Sequence, residues 1–187
     1  MQVVETSIPG VKLFHPKKFG DQRGFFSETY SRRAFAAAGV DLEFVQDNHA
    51  LSAEVGTVRG LHFQVPPAVQ GKLVRVSRGA IFDVAVDIRR GSPTYGRWAA
   101  ARISAAAWNQ IFVPAGFAHG YCTLEPDTEV VYKVTDFYAP EHERGMLWND
   151  PAIGIEWPVE AARAILSGKD RALPRLADLP EYFTWSR

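Results

Sequence analysis

One cysteine, Cys122, is all that the 187-residue chain contains, so no internal disulfide can form and nothing points to secretion. Neither sign of charge is in excess: Lys and Arg number 21, Asp and Glu also 21. A generic nucleic-acid or membrane-surface binder needs a basic surplus, so the balance argues against that class, although it leaves room for a local pocket for one small anion. No apolar run approaches the ~18 residues of a membrane span. The N-terminus, MQVVETSIPG, lacks the basic start and apolar stretch of a targeting signal. These absences predict a soluble, cytoplasmic protein with no nucleic-acid or membrane partner. The Gly-rich G-x-G-x-x-G motif of dinucleotide binders is absent too.

What is present is ordinary globular composition, 47% hydrophobic and 22% charged, and a length that fits one domain over residues 1–187. Fifteen Gly and 12 Pro are spread along the chain. They fall roughly every ten residues, between short runs rich in Val, Ile, Phe, Tyr and Trp, the pattern of a β-sandwich or barrel. Period-two alternation predicts strands over Gly71–Ser77, Ala80–Ile88 and Thr128–Val134. In the second, Asp83 and Asp87 oppose Phe82, Val84, Val86 and Ile88; in the third, Tyr132 shares a face with Val130 and Val134. A short helix is expected over Arg32–Ala38, capped by Ser31 and ended by Gly39. Short helices are also expected over Pro158–Ile165 and Arg175–Leu179, whereas the Ala-rich Trp98–Ala107 reads as strand plus turn because Gly96 and Pro114 crowd it.

Chemistry is sought where polar residues interrupt apolar strands. In Arg59-Gly60-Leu61-His62-Phe63-Gln64 strict alternation would send Arg59 and His62 to opposite faces, but a bulge at Gly60 would re-aim one of them. Lys72 opens a strand in Gln70-Gly71-Lys72-Leu73-Val74-Arg75, and His119 lies between glycines in Gly116-Phe117-Ala118-His119-Gly120. Taken singly, each has a plainer explanation: a core histidine, an edge lysine, a turn histidine, a packed tyrosine at Tyr132.

Together they form a pattern. Pro114-x-Gly116-x-x-His119 resembles the second motif of the cupin fold, a jelly roll (double-stranded β-helix) with its site inside the barrel. The first cupin motif of metal enzymes carries a second histidine and a Glu; here Gln64 stands in the histidine position and no Glu follows before Gly71. His62 and His119 alone are too few ligands for the usual iron or zinc site, so no metal is expected.

The resemblance narrows with Asp21-Gln22-Arg23-Gly24-Phe25-Phe26, Gln46-Asp47-Asn48, the His62 and Lys72 segments, Phe82-Asp83-Val84-Ala85-Val86-Asp87 and the His119 segment, in that order. This series is similar to the dTDP-4-dehydrorhamnose 3,5-epimerase family. The resemblance implies an all-β cupin jelly roll, no cofactor, a homodimer, and a dTDP-linked 4-keto-6-deoxy sugar as substrate in dTDP-L-rhamnose synthesis. It implies His62 as base, Tyr132 as acid on the opposite face and Lys72 as the cation at the enolate oxygen. Asp170 would orient His62, with Asp83 the second choice. Arg23, Glu28, Gln46, Asp47, Asn48, Arg59, His119, Glu143 and Lys169 would complete the binding set with Lys72, and Tyr138 would stack on thymine. The chemistry suits these groups. Protons α to a ketone need a base that titrates near neutrality, ~6.5 for an ordinary imidazole, and an acid such as a phenol of pKa about 10. Forked arginine donors suit a diphosphate. The competing readings are an epimerase acting at C3 or C5 alone, a 4-keto-sugar ketoisomerase and a non-catalytic sugar-binding cupin.

Overall fold

Each of the alternating stretches is a strand, and the last is so residue for residue. The computed structural model describes residues 1–185. In chain order the strands are β1 (Gln2–Glu5), β2 (Lys12–His15), β3 (Phe19–Asp21), β4 (Gly24–Phe26), β5 (Gln46–Ser52), β6 (Val58–Gln64) and β7 (Lys72–Arg78). There follow β8 (Ala80–Asp87), β9 (Trp98–Ser104), β10 (Gln110–Val113), β11 (Phe117–Thr123), β12 (Thr128–Val134) and β13 (Glu143–Gly145). Two short helices, α1 (Arg32–Ala37) and α2 (Gly168–Arg171), lie outside the sheets.

The strands form a six-stranded sheet, β1-β2-β10-β7-β12-β5, facing a five-stranded sheet, β13-β6-β11-β8-β9, with β3 and β4 as a separate hairpin. All registered pairs are antiparallel. This is the all-β, cupin-like jelly roll that the sequence predicts. Val74, Val76, Ile111 and Val130 from the first sheet meet Ile81, Ala85, Ala99 and Ile103 from the second in one buried core. Each such side chain stabilises the fold by about 1.5–3 kcal/mol when fully buried, less for alanine. Strand β8 is buried on both faces, because its outward Val84 and Val86 lie beneath Leu176 and Leu179 of the C-terminal segment.

The helix expectations fare unevenly. Helix α1 begins after Ser31 as expected, but the Ser31 hydroxyl makes no capping hydrogen bond. The Trp98–Ala107 patch is strand followed by turn. Residues of Pro158–Ile165 form turns rather than a helix, and Ile165 instead makes a parallel bridge to Thr57. Leu176–Asp178 is one turn of 3-10 helix. The α2 turn was not anticipated: Ser167 caps it by accepting a hydrogen bond from the Asp170 amide at 3.1 Å. Among the described residues no helix is long and apolar enough to cross a membrane.

Candidate active site

The site begins with the irregularity at Gly60. His119 pairs with His62 across β11 and β6, whereas Tyr121 pairs with Arg59, so β6 holds one extra residue over this interval. That extra residue is accommodated by Gly60, with φ of +124°. The bulge cancels the alternation, and Arg59 and His62 both reach the same cavity of about 440 Å³, together with Lys72, His119, Tyr132 and Asp170.

His62 Nε2 lies 2.6 Å from Asp170 Oδ1. Asp170 is delivered to it by the C-terminal segment: Val58 donates to the Ile165 carbonyl at 2.9 Å, which lays that segment along β6 just before α2. Burial alone would raise the Asp170 carboxyl, but the hydrogen bond and charge of His62 outweigh it and hold the group below the usual carboxylate range. With Nε2 committed to the carboxylate, Nδ1 is the free ring nitrogen of His62. Asp83, the other candidate for orienting His62, serves His119 instead: His119 Nε2 lies 3.0 and 2.9 Å from its two oxygens.

Lys72 donates to the His62 carbonyl at 3.3 Å. Burial lowers its ammonium to about 8, against the opposing pull of Asp83 and Glu143. The Tyr132 phenol is raised by burial and by Glu143, with Arg59 pulling the other way. Arg59 is steered by Ser52 Oγ and the Leu51 carbonyl, each 3.1 Å away.

A second lobe of about 290 Å³ shares His62, Lys72 and Tyr132 with the first and adds Gln46, Asn48, Tyr138 and Glu143. Glu143 accepts from the Tyr138 hydroxyl at 2.8 Å and forms an ion pair with Lys169. Burial would raise Glu143, but these partners hold it below the ordinary value. Tyr138 is 53% exposed, open for stacking.

Three expected binding residues are not at the cavity of this chain. Arg23 sits between β3 and β4 with its guanidinium 2.5 Å from Asp21 and the side chain 84% exposed. Glu28 lines a separate small pocket with Lys17 and Phe35. Asp47 points to the outer face, 2.8 Å from Lys133, because the pleat of β5 that turns Gln46 and Asn48 inward must turn Asp47 outward. Conversely, Tyr121 lines the cavity without having been expected there. Burial pushes its phenol up to about 12. Its position two residues after His119, on the same strand face, was the available signal.

A histidine paired with a carboxylate, a lysine and a phenol converge on one cavity, and among the described residues no three His, Cys, Asp or Glu side chains converge as a metal site requires. Fold and site together define a cupin-type isomerase. Residues 5–178 match the family model described as dTDP-4-dehydrorhamnose 3,5-epimerase, and the chain belongs to that family. A relative of that name from Sinorhizobium fredii is 55% identical over 185 residues, covering 99% of this chain and 94% of its own length. The solved structure of a dTDP-6-deoxy-D-glucose-3,5-epimerase from Legionella pneumophila, in complex with dTDP-4-keto-L-rhamnose, is 40% identical with a TM-score of 0.94, covering 100% and 99% of the two chains. The dTDP-4-dehydrorhamnose 3,5-epimerase from Bacillus anthracis, with TDP and PPi bound, is 50% identical with a TM-score of 0.90, covering 93% and 98%.

Proposed function

We propose that the chain converts dTDP-4-dehydro-6-deoxy-D-glucose to dTDP-4-dehydro-L-rhamnose by inverting C3 and C5 through enolates, for dTDP-L-rhamnose synthesis. The observation that carries this is the sharing of His62, Lys72 and Tyr132 by both lobes of the cavity. A sugar at the junction would meet all three, with the nucleotide extending along one lobe.

His62 takes the proton α to the C4 ketone through its free Nδ1, while Asp170 holds the ring and stabilises the imidazolium that forms. Lys72 faces the developing charge on O4 as an ammonium, in a site where displaced water can no longer solvate that charge. Tyr132, on the six-stranded sheet and so across the cavity from His62, returns a proton to the opposite face of the carbon. Its raised pKa keeps it protonated until the enolate carbon accepts. Arg59 contributes a forked donor toward the diphosphate, and the exposed Tyr138 ring a stacking surface for thymine. Gln46, Asn48, His119, Glu143 and Lys169 complete the contacts. No metal or redox cofactor has a role in these steps. The charged diphosphate confines such a substrate, and with it the enzyme, to the cytoplasm.

A homodimer accounts for two of the three expected site residues that this chain leaves outside, Arg23 and Glu28. The β3–β4 hairpin carries exposed Phe19, Phe25 and Phe26 beside Arg23, an apolar surface with a cation at its tip. A second copy would cover it and receive Arg23 and Glu28 at its own cavity. Light scattering should give twice the 20.8 kDa of one chain, and a stable monomer would refute the pairing. For the activity itself the test is the NMR spectrum of the product formed from the 4-keto sugar. Inversion at both carbons supports the proposal; inversion at one, or migration of the ketone, replaces it.

A further inference from the structure

Asp83 is out of place by the logic of its own strand. The inward face of β8 carries Ile81, Asp83 and Ala85, paired across β11 with Thr123, Tyr121 and His119, and across β9 with Ile103, Ala101 and Ala99. This is the apolar layer between the two sheets, and Asp83 is 0% exposed within it. Its side chain has one hydrogen-bonding partner among the described residues, the Nε2 of His119. A carboxylate in such surroundings is strongly disfavoured unless countercharge compensates it, and a fold has no need of one there. An alanine or valine would continue the layer.

What lies in front of Asp83 gives it a purpose. His119 is the direct cross-strand neighbour of His62, and Lys72 donates to the His62 carbonyl. His119 and Lys72 thus line one cavity, with the buried carboxylate immediately behind the His119 imidazole. We propose that Asp83 is a positioning residue of the reaction: it fixes His119 as the Nε2–H tautomer and is the standing countercharge that keeps Lys72 an ammonium facing the substrate oxygen. His119 then presents Nδ1 to the cavity in one orientation. Among the described residues there are then two His–Asp pairs with different duties, His62–Asp170 at the proton in transit and His119–Asp83 behind the cation that faces the enolate oxygen.

The groups facing Lys72 define what removal of Asp83 should do. They are Arg59 and His62 from β6, His119 and Tyr121 from β11, Glu143 from β13, Tyr132 from β12, Lys169 and Asp170 from α2, and Asp83 from β8. Asp83 and Glu143 are the anions among them that favour the ammonium, and Glu143 is already engaged by Lys169 and Tyr138. Asp83→Asn keeps the size and a hydrogen-bonding oxygen but removes the charge.

This proposal rests on the epimerase reading, so wild-type turnover of the dTDP-4-keto sugar is measured first, and failure there refutes that reading and not the role of Asp83. Given turnover, Asp83→Asn should lose about 10–10²-fold in kcat with a smaller change in KM, and the alkaline limb of its kcat profile should move about one pH unit lower. A folded Asp83→Asn enzyme with the wild-type kcat and alkaline limb would overturn the proposal and leave Asp83 a packing residue. Should that variant not fold, ¹⁵N shifts of the His119 ring in the wild-type enzyme decide: protonation at Nε2 supports the assignment, and a ring carrying its proton on Nδ1 alone overturns it.

Discussion

Gly60 and Gly120 lie against each other across β6 and β11 so closely that a Cβ on Gly60 would fall 2.6 Å from the Gly120 Cα, and one on Gly120 would fall 2.6 Å from the Arg59 carbonyl oxygen. Backbone, not a flexible side chain, occupies both spaces, so neither strand can yield without moving the residues beside it. Those residues are Arg59, His62 and His119. Gly60→Ala and Gly120→Ala should each destabilise the fold by about 1–3 kcal/mol through overpacking, with a further cost at Gly60 from its positive φ. Activity should fall more than stability does, because displacement of His62 by an ångström takes it off line from its proton. Thermal unfolding and turnover of the same preparations check this; a Gly120→Ala enzyme with wild-type kcat would show that the close approach does not set the site.

How far the sequence reveals this arrangement depends on the range of the interaction. The pleat of β7, β8 and β12 is local and was readable from alternation. So was the conflict between Arg59 and His62, which named Gly60 as the place for a bulge. The pairing of His62 with Asp170 joins residues 108 apart and depends on where a turn-rich C-terminal segment docks, which no periodicity encodes. The same holds for Asp83, whose partner is fixed only once β8 and β11 are in register. Asp47 shows the opposite case: Gln46-Asp47-Asn48 is grouped as one motif, whereas the alternation of β5 places its middle member on the other face.

His62→Ala should abolish both solvent exchange at the substrate carbons and product formation, at a cost of about 10²–10⁴ in rate. Asp170→Asn should fall in the same range while the protein stays folded, since the amide can hold the ring but favours the wrong tautomer and cannot stabilise the imidazolium. Proton-exchange NMR in deuterium oxide is the measurement. Near wild-type exchange by His62→Ala would move the base elsewhere, with His119 the next candidate.

Lys72 sets an alkaline limit. Burial brings its ammonium to about 8 from an ordinary 10.5, so the cation at O4 is present below that pH and lost above it. The rate should decline above pH ~8, and Lys72→Met should lose the limb along with about 10²–10³ of activity. Stability runs the other way. Between about 8 and 10.5 the unfolded chain still holds the proton that the folded chain has released, so stability rises with pH across that window. At pH 7 the buried ammonium costs about 3 kcal/mol, and Lys72→Met should unfold at a higher temperature than the wild type there, with the gap closing toward pH 10. A variant less stable than wild type at pH 7 would mean that Lys72 is held by compensating charge more fully than its surroundings indicate.

Prolonged chelation should leave turnover unchanged, since His62 and His119 have their Nε2 atoms committed to Asp170 and Asp83 and no third donor joins them among the described residues. Loss of activity restored by iron or zinc, followed by dialysis and direct metal analysis, would contradict the acid–base account.

Tyr132→Phe separates the two halves of the reaction. The ring packs against the inter-sheet core, and the substitution keeps that packing, so stability should change by no more than about 1 kcal/mol. With His62, Asp170 and Lys72 intact, the enolate can still form. His62 can then return a proton only to the face from which it came. In deuterium oxide the variant should therefore incorporate label at C3 or C5 of the starting sugar while forming little inverted product. A tyrosine that merely fills the core would give the reverse, a slightly less stable enzyme with normal inversion. The two outcomes are read from one NMR experiment, by label in the D-configured substrate against accumulation of the L-sugar. Normal accumulation by folded Tyr132→Phe would remove this phenol from the mechanism and pass its part to Tyr121, the other phenol that lines the cavity, or to water.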